Sequence, residues 1–217
     1  MSKAPAFFVD HTDTPLGQLA IVADDRGCLR VVGWTDGRPM RRRLRARAED
    51  RSLEPASDPG GFTSAIRAYF RGDWSAIDTL PVTLAGTPFQ NAVWLALRTI
   101  ACGETRSYGD IARHIGSPTA VRAVGLAIGA NPVGIVVPCH RVIGADGSLT
   151  GYAGGIERKR WLLSHERPAR HGAELAFGLS DRSSSRPLEG CEPLAGESCR
   201  ETRQGVRAHR NPMPTSR

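Results

Sequence analysis

The chain has 217 residues, 40% of them hydrophobic and 24% charged, which suits one or two folded domains of roughly 150 residues each. That composition excludes a disordered chain, and no apolar run approaches the roughly 20 residues of a membrane span. The net charge of +7 fits a polyanionic partner, but the basic residues are 27 Arg and 2 Lys, a bias that GC-rich codon usage also produces. The start, Met1-Ser2-Lys3-Ala4-Pro5, forms no signal-peptide core, so the expected compartment is the cytoplasm.

Residues 1–86 open with strand signals. Ala6-Phe7-Phe8-Val9, 16–22 and 28–34 are short apolar runs, and Asp24-Asp25-Arg26-Gly27 reads as a hairpin turn. The Arg-rich segment 41–50 predicts a solvated helix face. Phe62, Ile66, Tyr69 and Phe70 recur at helical spacing, with Gly72 closing the helix. Residues 81–84 read as a strand or linker. The whole part is expected to be a small α/β domain.

Residues 87–167 carry the strongest local signals. Thr87-Pro88-Phe89-Gln90 has a capping residue, Pro at the first helical position and Gln where it closes a capping box. Phe89, Val93, Leu97 and Ile100 then face one way. Ser107-Tyr108-Gly109-Asp110 starts a second helix that Gly116 stops. Ser117-Pro118 is expected to open a third, with Val121, Val124 and Ile128 inward, which makes a helix-turn-helix. The β-branched runs 135–137 and 141–143 predict strands, and 156–166 a last helix. Residues 168–217, rich in Pro and Ser with few large apolar side chains, are expected to be a disordered, mildly basic tail.

The five cysteines, Cys28, Cys102, Cys139, Cys191 and Cys199, contain no C-x-x-C pair, so neither a disulfide framework nor a zinc ribbon is indicated. Before residue 80, His11 and Cys28 are the obvious zinc ligands where four are wanted, so no metal is expected. Cys139 beside His140 is a candidate activated nucleophile, because a free thiol is only a few per cent ionised at neutral pH and needs a base. In extended chain the two side chains would diverge, so His140 reaches Cys139 around a turn or through water. Glu166 is a candidate to orient the imidazole. By itself a Cys-His pair more often marks a buried Cys beside a satisfied His.

The run Pro138-Cys139-His140-Arg141-Val142-Ile143-Gly144 resembles the active-site motif of methylated-DNA–protein-cysteine methyltransferases, the O6-alkylguanine-DNA alkyltransferases. Gly86-Thr87-Pro88-Phe89-Gln90, Val93-Trp94, Ser107-Tyr108-Gly109 and Ala120-Val121-Arg122-Ala123-Val124-Gly125 follow in family order. So do Asn131-Pro132, Gly151-Tyr152-Ala153-Gly154-Gly155 and Trp161-Leu162-Leu163-Ser164-His165-Glu166. Asp78-Thr79-Leu80-Pro81 is similar to the bacterial Ogt-like branch. The resemblance covers 87–167 strongly and 5–86 more loosely.

The resemblance implies an α+β protein: an N-terminal ribonuclease H-like α/β domain (1–86), then a winged helix-turn-helix domain (87–167) that binds DNA and carries the site. It implies minor-groove docking through 117–130, including Ser117 and Thr119, with small residues Ala123 and Ala127 permitting close approach. Arg122 would fill the gap left by a flipped base. Tyr108, Val142, Tyr152, Ala153 and Gly154 would form the base pocket, and Tyr108 would donate a proton to the ring. Cys139 would take the alkyl group, His140 the thiol proton, Glu166 would hold His140, and Asn131 would brace the turn before the active-site strand. The implied partner is double-stranded DNA with alkylated bases, bound by a monomer without metal or organic cofactor. The rival readings are a non-catalytic alkyltransferase-like lesion binder, which lacks the reactive Cys, a repair regulator with an added zinc module, and an unrelated cysteine hydrolase.

Overall fold

The structure, a computed structural model, describes residues 6–36 and 53–167. The apolar runs at the start form strands β1 (Phe7–Thr14), β2 (Gly17–Asp24) and β3 (Leu29–Trp34), and a short β4 (Leu53–Pro55) joins them. The sheet order is β3-β2-β1-β4, antiparallel except for the β1/β4 pair. Alternation along β2 sends Leu19, Ile21 and Ala23 to the main core and Ala20 and Val22 to a second cluster with Phe7 and Val31. The two expectations for 41–50 and 168–217 fall outside the described residues.

Helix α1 (Phe62–Phe70) buries Phe62, Ile66 and Tyr69, as their spacing predicts. Pro81 and Thr83 bond to both backbone groups of Leu29, so 81–84 is a connector laid along β3. Helix α2 (Pro88–Arg98) begins at the predicted capping box: Thr87 Oγ1 accepts from the Gln90 amide, and Gln90 Oε1 accepts from the Thr87 amide. Its Trp94 is buried, and the indole Nε1 donates 2.8 Å to the Ala127 carbonyl.

Strand β5 (Arg106–Ser107) leads into α3 (Tyr108–His114), capped by the reciprocal Ser107–Asp110 pair. Gly116, at φ +71, turns the chain into α4 (Val121–Gly129). This helix starts at Val121, not at Ser117-Pro118, because 117–120 closes a separate turn in which the Ala120 amide donates to the Ser117 carbonyl. Val121 is accordingly exposed, while Val124, Ala127 and Ile128 face inward.

Strand β6 (Val142–Ile143) pairs in parallel with β5, and α5 (Ile156–His165) closes the described chain. One hydrophobic cluster runs from Leu19 of the sheet through Leu97 and Val124 to Leu162 of α5. The described residues lie within one compact unit. None of their helices is long and apolar enough to cross a membrane.

Candidate active site and nucleic-acid interface

The segment between α4 and β6 departs from the expected pair of strands. The run 135–137 is a buried turn: the Val136 amide donates to Gly134 and the Val137 amide to Val133. Ile135 sits at φ +72, a region that β-branched residues avoid at a cost of about 1–3 kcal/mol. Side-chain bonds hold the turn from outside. Asn131 Nδ2 donates 2.8 Å to the Val137 carbonyl, and its Oδ1 accepts from the Val133 amide at 3.0 Å. The same Val137 carbonyl accepts the Cys139 amide at 2.8 Å. Asn131 therefore braces the backbone that delivers Cys139.

Cys139, His140 and Arg141 follow as one 3-10 turn (Cys139–Arg141), and all three side chains are buried. Glu166, the residue that ends α5, is only 1% exposed. Its Oε1 accepts from Tyr69 Oη at 2.7 Å and Arg141 Nη2 at 2.8 Å, and lies 2.9 Å from His140 Nε2. Its Oε2 accepts from Arg141 Nε at 2.8 Å. Burial alone would lift the Glu166 carboxyl, but the bonds from His140 and Arg141 outweigh it and hold the group far below the usual carboxylate range. The ionised carboxylate only accepts, so His140 Nε2 carries the proton.

Burial lowers the pKa of His140; the neighbouring Glu166 opposes this, but Arg141 and Lys159 repel a second charge, and the ring is held neutral. Its Nδ1 is buried and bonds to no group among the described residues. In the Nε2–H tautomer that nitrogen is a lone-pair acceptor, the form a general base requires.

A ring of groups closes over this turn. Lys159, fully buried, donates from Nζ to the Val142 carbonyl at 2.6 Å and to the Thr150 carbonyl at 2.7 Å. Burial pushes its pKa down and the nearby Cys139 pulls it back up, which places a cation within electrostatic reach of the thiol. Tyr108 Oη donates to the Thr150 carbonyl at 3.1 Å. Desolvation, and then proximity to Cys139, raise the Tyr152 phenol, whose ring packs over Gly154. A Cβ on Gly154 would come within 2.7 Å of that ring. Ala153 is exposed on the same loop, and Val142 is buried beneath it.

The candidate DNA face lies on α4 and the turn before it. Arg122 and Ala123 are exposed on α4, Thr119 is exposed in the preceding turn, and Ser117 is half-buried there. Ala127 does not belong with them. It is 3% exposed, and its carbonyl holds Trp94, so it packs helix against helix. The sequence reading also assigned no role to Tyr69, Arg141 or Lys159. Lys159 had one signal, being a lysine in a chain that uses Arg almost everywhere else.

A cysteine beside a buried histidine on a braced turn, with that histidine bonded to a carboxylate at the end of α5, is the arrangement of a cysteine-dependent group-transfer site, and α3 and α4 are joined by a turn in the same unit. Residues 88–168 match the family model described as 6-O-methylguanine DNA methyltransferase, DNA binding domain. A methylated-DNA–protein-cysteine methyltransferase of Shigella flexneri is 50% identical over 156 residues, 70% of this chain and 91% of the relative. The relative of that name from Mycobacterium tuberculosis strain H37Rv is 59% identical over 123 residues, 55% of this chain and 73% of its own. Among solved structures, M. tuberculosis OGT in complex with DNA aligns with a TM-score of 0.61 at 40% identity, covering 76% of this chain and 96% of that one. The O6-methylguanine-DNA methyltransferase of Pyrococcus kodakaraensis aligns at 0.55 with 28% identity, covering 74% and 98%. The chain belongs to the methylated-DNA–protein-cysteine methyltransferase family and has its α+β fold.

Proposed function

We propose that this protein repairs alkylated double-stranded DNA by moving the alkyl group from O6 of guanine, and less well from O4 of thymine, onto Cys139. The observation that carries the reading is the His140–Glu166 pair, with Nε2 committed to the carboxylate and Nδ1 left as the acceptor. The lesion base is flipped out of the duplex, at a cost of a few kcal/mol. Exposed Arg122 fills its place while 117–123 lies in the minor groove. His140 takes the thiol proton through a water, and Lys159 favours the resulting thiolate.

The Cys139 sulfur then attacks the alkyl carbon. The S–C bond forms as the C–O6 bond breaks, and the electron pair stays on the departing base. Tyr108 donates a proton to that ring, so a neutral base leaves. Its hydroxyl trades the Thr150 carbonyl for the base, while Lys159 keeps that carbonyl bonded. The Val142 carbonyl has a second lone pair for the base, and the Ala153 amide and the Tyr152 ring complete the pocket. The thioether product is stable, so each molecule acts once.

The four-stranded sheet supports a ribonuclease H-like reading of 1–86, and α3–α4 with the β5–β6 pair supports a winged helix-turn-helix over 87–167. One thiol per lesion suits a monomer, and the genomic substrate suits a cytoplasmic protein. The test is transfer from a duplex bearing one O6-guanine methyl group with a radioactive carbon. The label should appear in the peptide containing Cys139 and vanish in Cys139→Ala; label elsewhere, or retained by that variant, rejects the assignment.

A further inference from the structure

One guanidinium outside the catalytic turn connects three distant parts of the chain. Arg158, in the first turn of α5, donates from Nε to the Leu16 carbonyl at 2.9 Å. Its Nη2 donates to Asp36 Oδ2 at 2.7 Å and its Nη1 to Asp36 Oδ1 at 3.2 Å. Nη1 also donates to the Gly154 carbonyl at 3.1 Å. The guanidinium carbon lies 5.2 Å from the centre of the Trp34 ring, within cation–π range. Gly17 leaves it room, since a Cβ there would stand 3.3 Å from Nη2.

The loop it grips is the one that bears the pocket wall. Gly154 has no side chain because the Tyr152 ring occupies that space, and the Gly155 amide donates 2.9 Å to the Tyr152 carbonyl. A shift of the Gly154 peptide therefore moves the Tyr152 ring. A planar fork with three committed nitrogens restrains that peptide in direction as well as distance, which a lysine could not do. The β1–β2 turn and Asp36, two residues past β3, thus act as the anchor for the wall.

We propose that Arg158 is a positioning residue that sets the width of the alkyl pocket by fixing the Gly154 peptide, and with it Tyr152, to the N-terminal sheet. This rests on the repair reading above. Loosening the wall should admit a bulky alkyl group more readily while the compact methyl group gains nothing.

The test compares transfer rates from duplexes bearing O6-methylguanine and O6-benzylguanine, for the full chain and for Arg158→Ala and Asp36→Asn. The benzyl-to-methyl rate ratio should rise about fivefold or more in Arg158→Ala and move the same way, by less, in Asp36→Asn. Asp36 is largely exposed, so its variant carries the test if Arg158→Ala does not fold. A merely structural role would slow both substrates alike; a ratio within about twofold of the parent in the folded variants overturns the proposal. Parent protein that transfers neither group would instead overturn the repair reading itself.

Discussion

Arg141 straddles Glu166, with Nε on one carboxylate oxygen and Nη2 on the other, each at 2.8 Å and both side chains buried. The same arginine sends Nη1 to the Ile100 carbonyl at 2.6 Å, which fixes the carboxylate relative to the end of α2. His140 is thus oriented by a group whose charge is already balanced. Burial, helped by the Arg141 charge, therefore keeps the histidine neutral against a carboxylate.

Removing one partner of such a pair leaves an uncompensated buried charge. Arg141→Met should lower unfolding free energy by about 3–5 kcal/mol. Urea denaturation measures this, and a loss below about 1 kcal/mol would mean that solvent reaches the pair.

Acid should weaken the fold in two stages. His140 is held below its ordinary 6.5, so the unfolded chain binds a proton there that the folded chain refuses. Its contribution is complete above that value and is lost as pH falls below it, at up to about 1.4 kcal/mol per pH unit. Glu166, depressed from 4.5, adds a second loss as pH falls below that value. Urea midpoints between pH 7.5 and 5 should slope downward in the parent and flatten over the first stage in His140→Asn. Equal slopes would show that His140 is not the group responsible.

Lys159→Met removes the cation near Cys139 and unbinds the Val142 and Thr150 carbonyls. Alkyl transfer at neutral pH should fall about tenfold, the effect of about 1.4 kcal/mol on thiolate formation. Stopped-flow rates under single-turnover conditions measure it. An unchanged rate in folded protein would confine Lys159 to a structural role.

Arg122 is exposed on α4, so its effect should depend on the duplex. Arg122→Ala should slow transfer from lesion-bearing duplex by about tenfold or more and leave transfer from free O6-benzylguanine base within about twofold of the parent. Equal losses on both substrates would place its role in the pocket instead.

Local chemistry was readable where its partners are close in sequence. The Thr87–Gln90 capping box forms as predicted, and Ser107 and Asp110, also three residues apart, cap the helix expected to start there. Short apolar runs and the turn at 24–27 marked β1, β2 and β3 for the same reason. The run 135–137 misled because β-branched residues favour strands, whereas here the bonds of Asn131 and tight packing force a turn with Ile135 at positive φ. Ala127 misled because a small residue serves a close helix contact as well as a groove. Cys139 and His140 stood out as an adjacent thiol and imidazole and Glu166 as a carboxylate able to orient the ring, while the family motifs gave the three their roles. The Tyr69–Glu166 bond spans 97 residues and connects α1 to the end of α5, a relation that no local pattern encodes.

In the proposed reaction the Cys139 sulfur is capped once and stays capped. Intact-mass spectrometry of the full chain after incubation with excess methylated duplex tests it directly. The predicted result is a gain equal to one methyl group in place of one proton, carried by every active molecule and mapped to Cys139, with repair ceasing at one lesion per chain. Repaired DNA alongside protein of unchanged mass, or repair continuing past that equivalence, would contradict it.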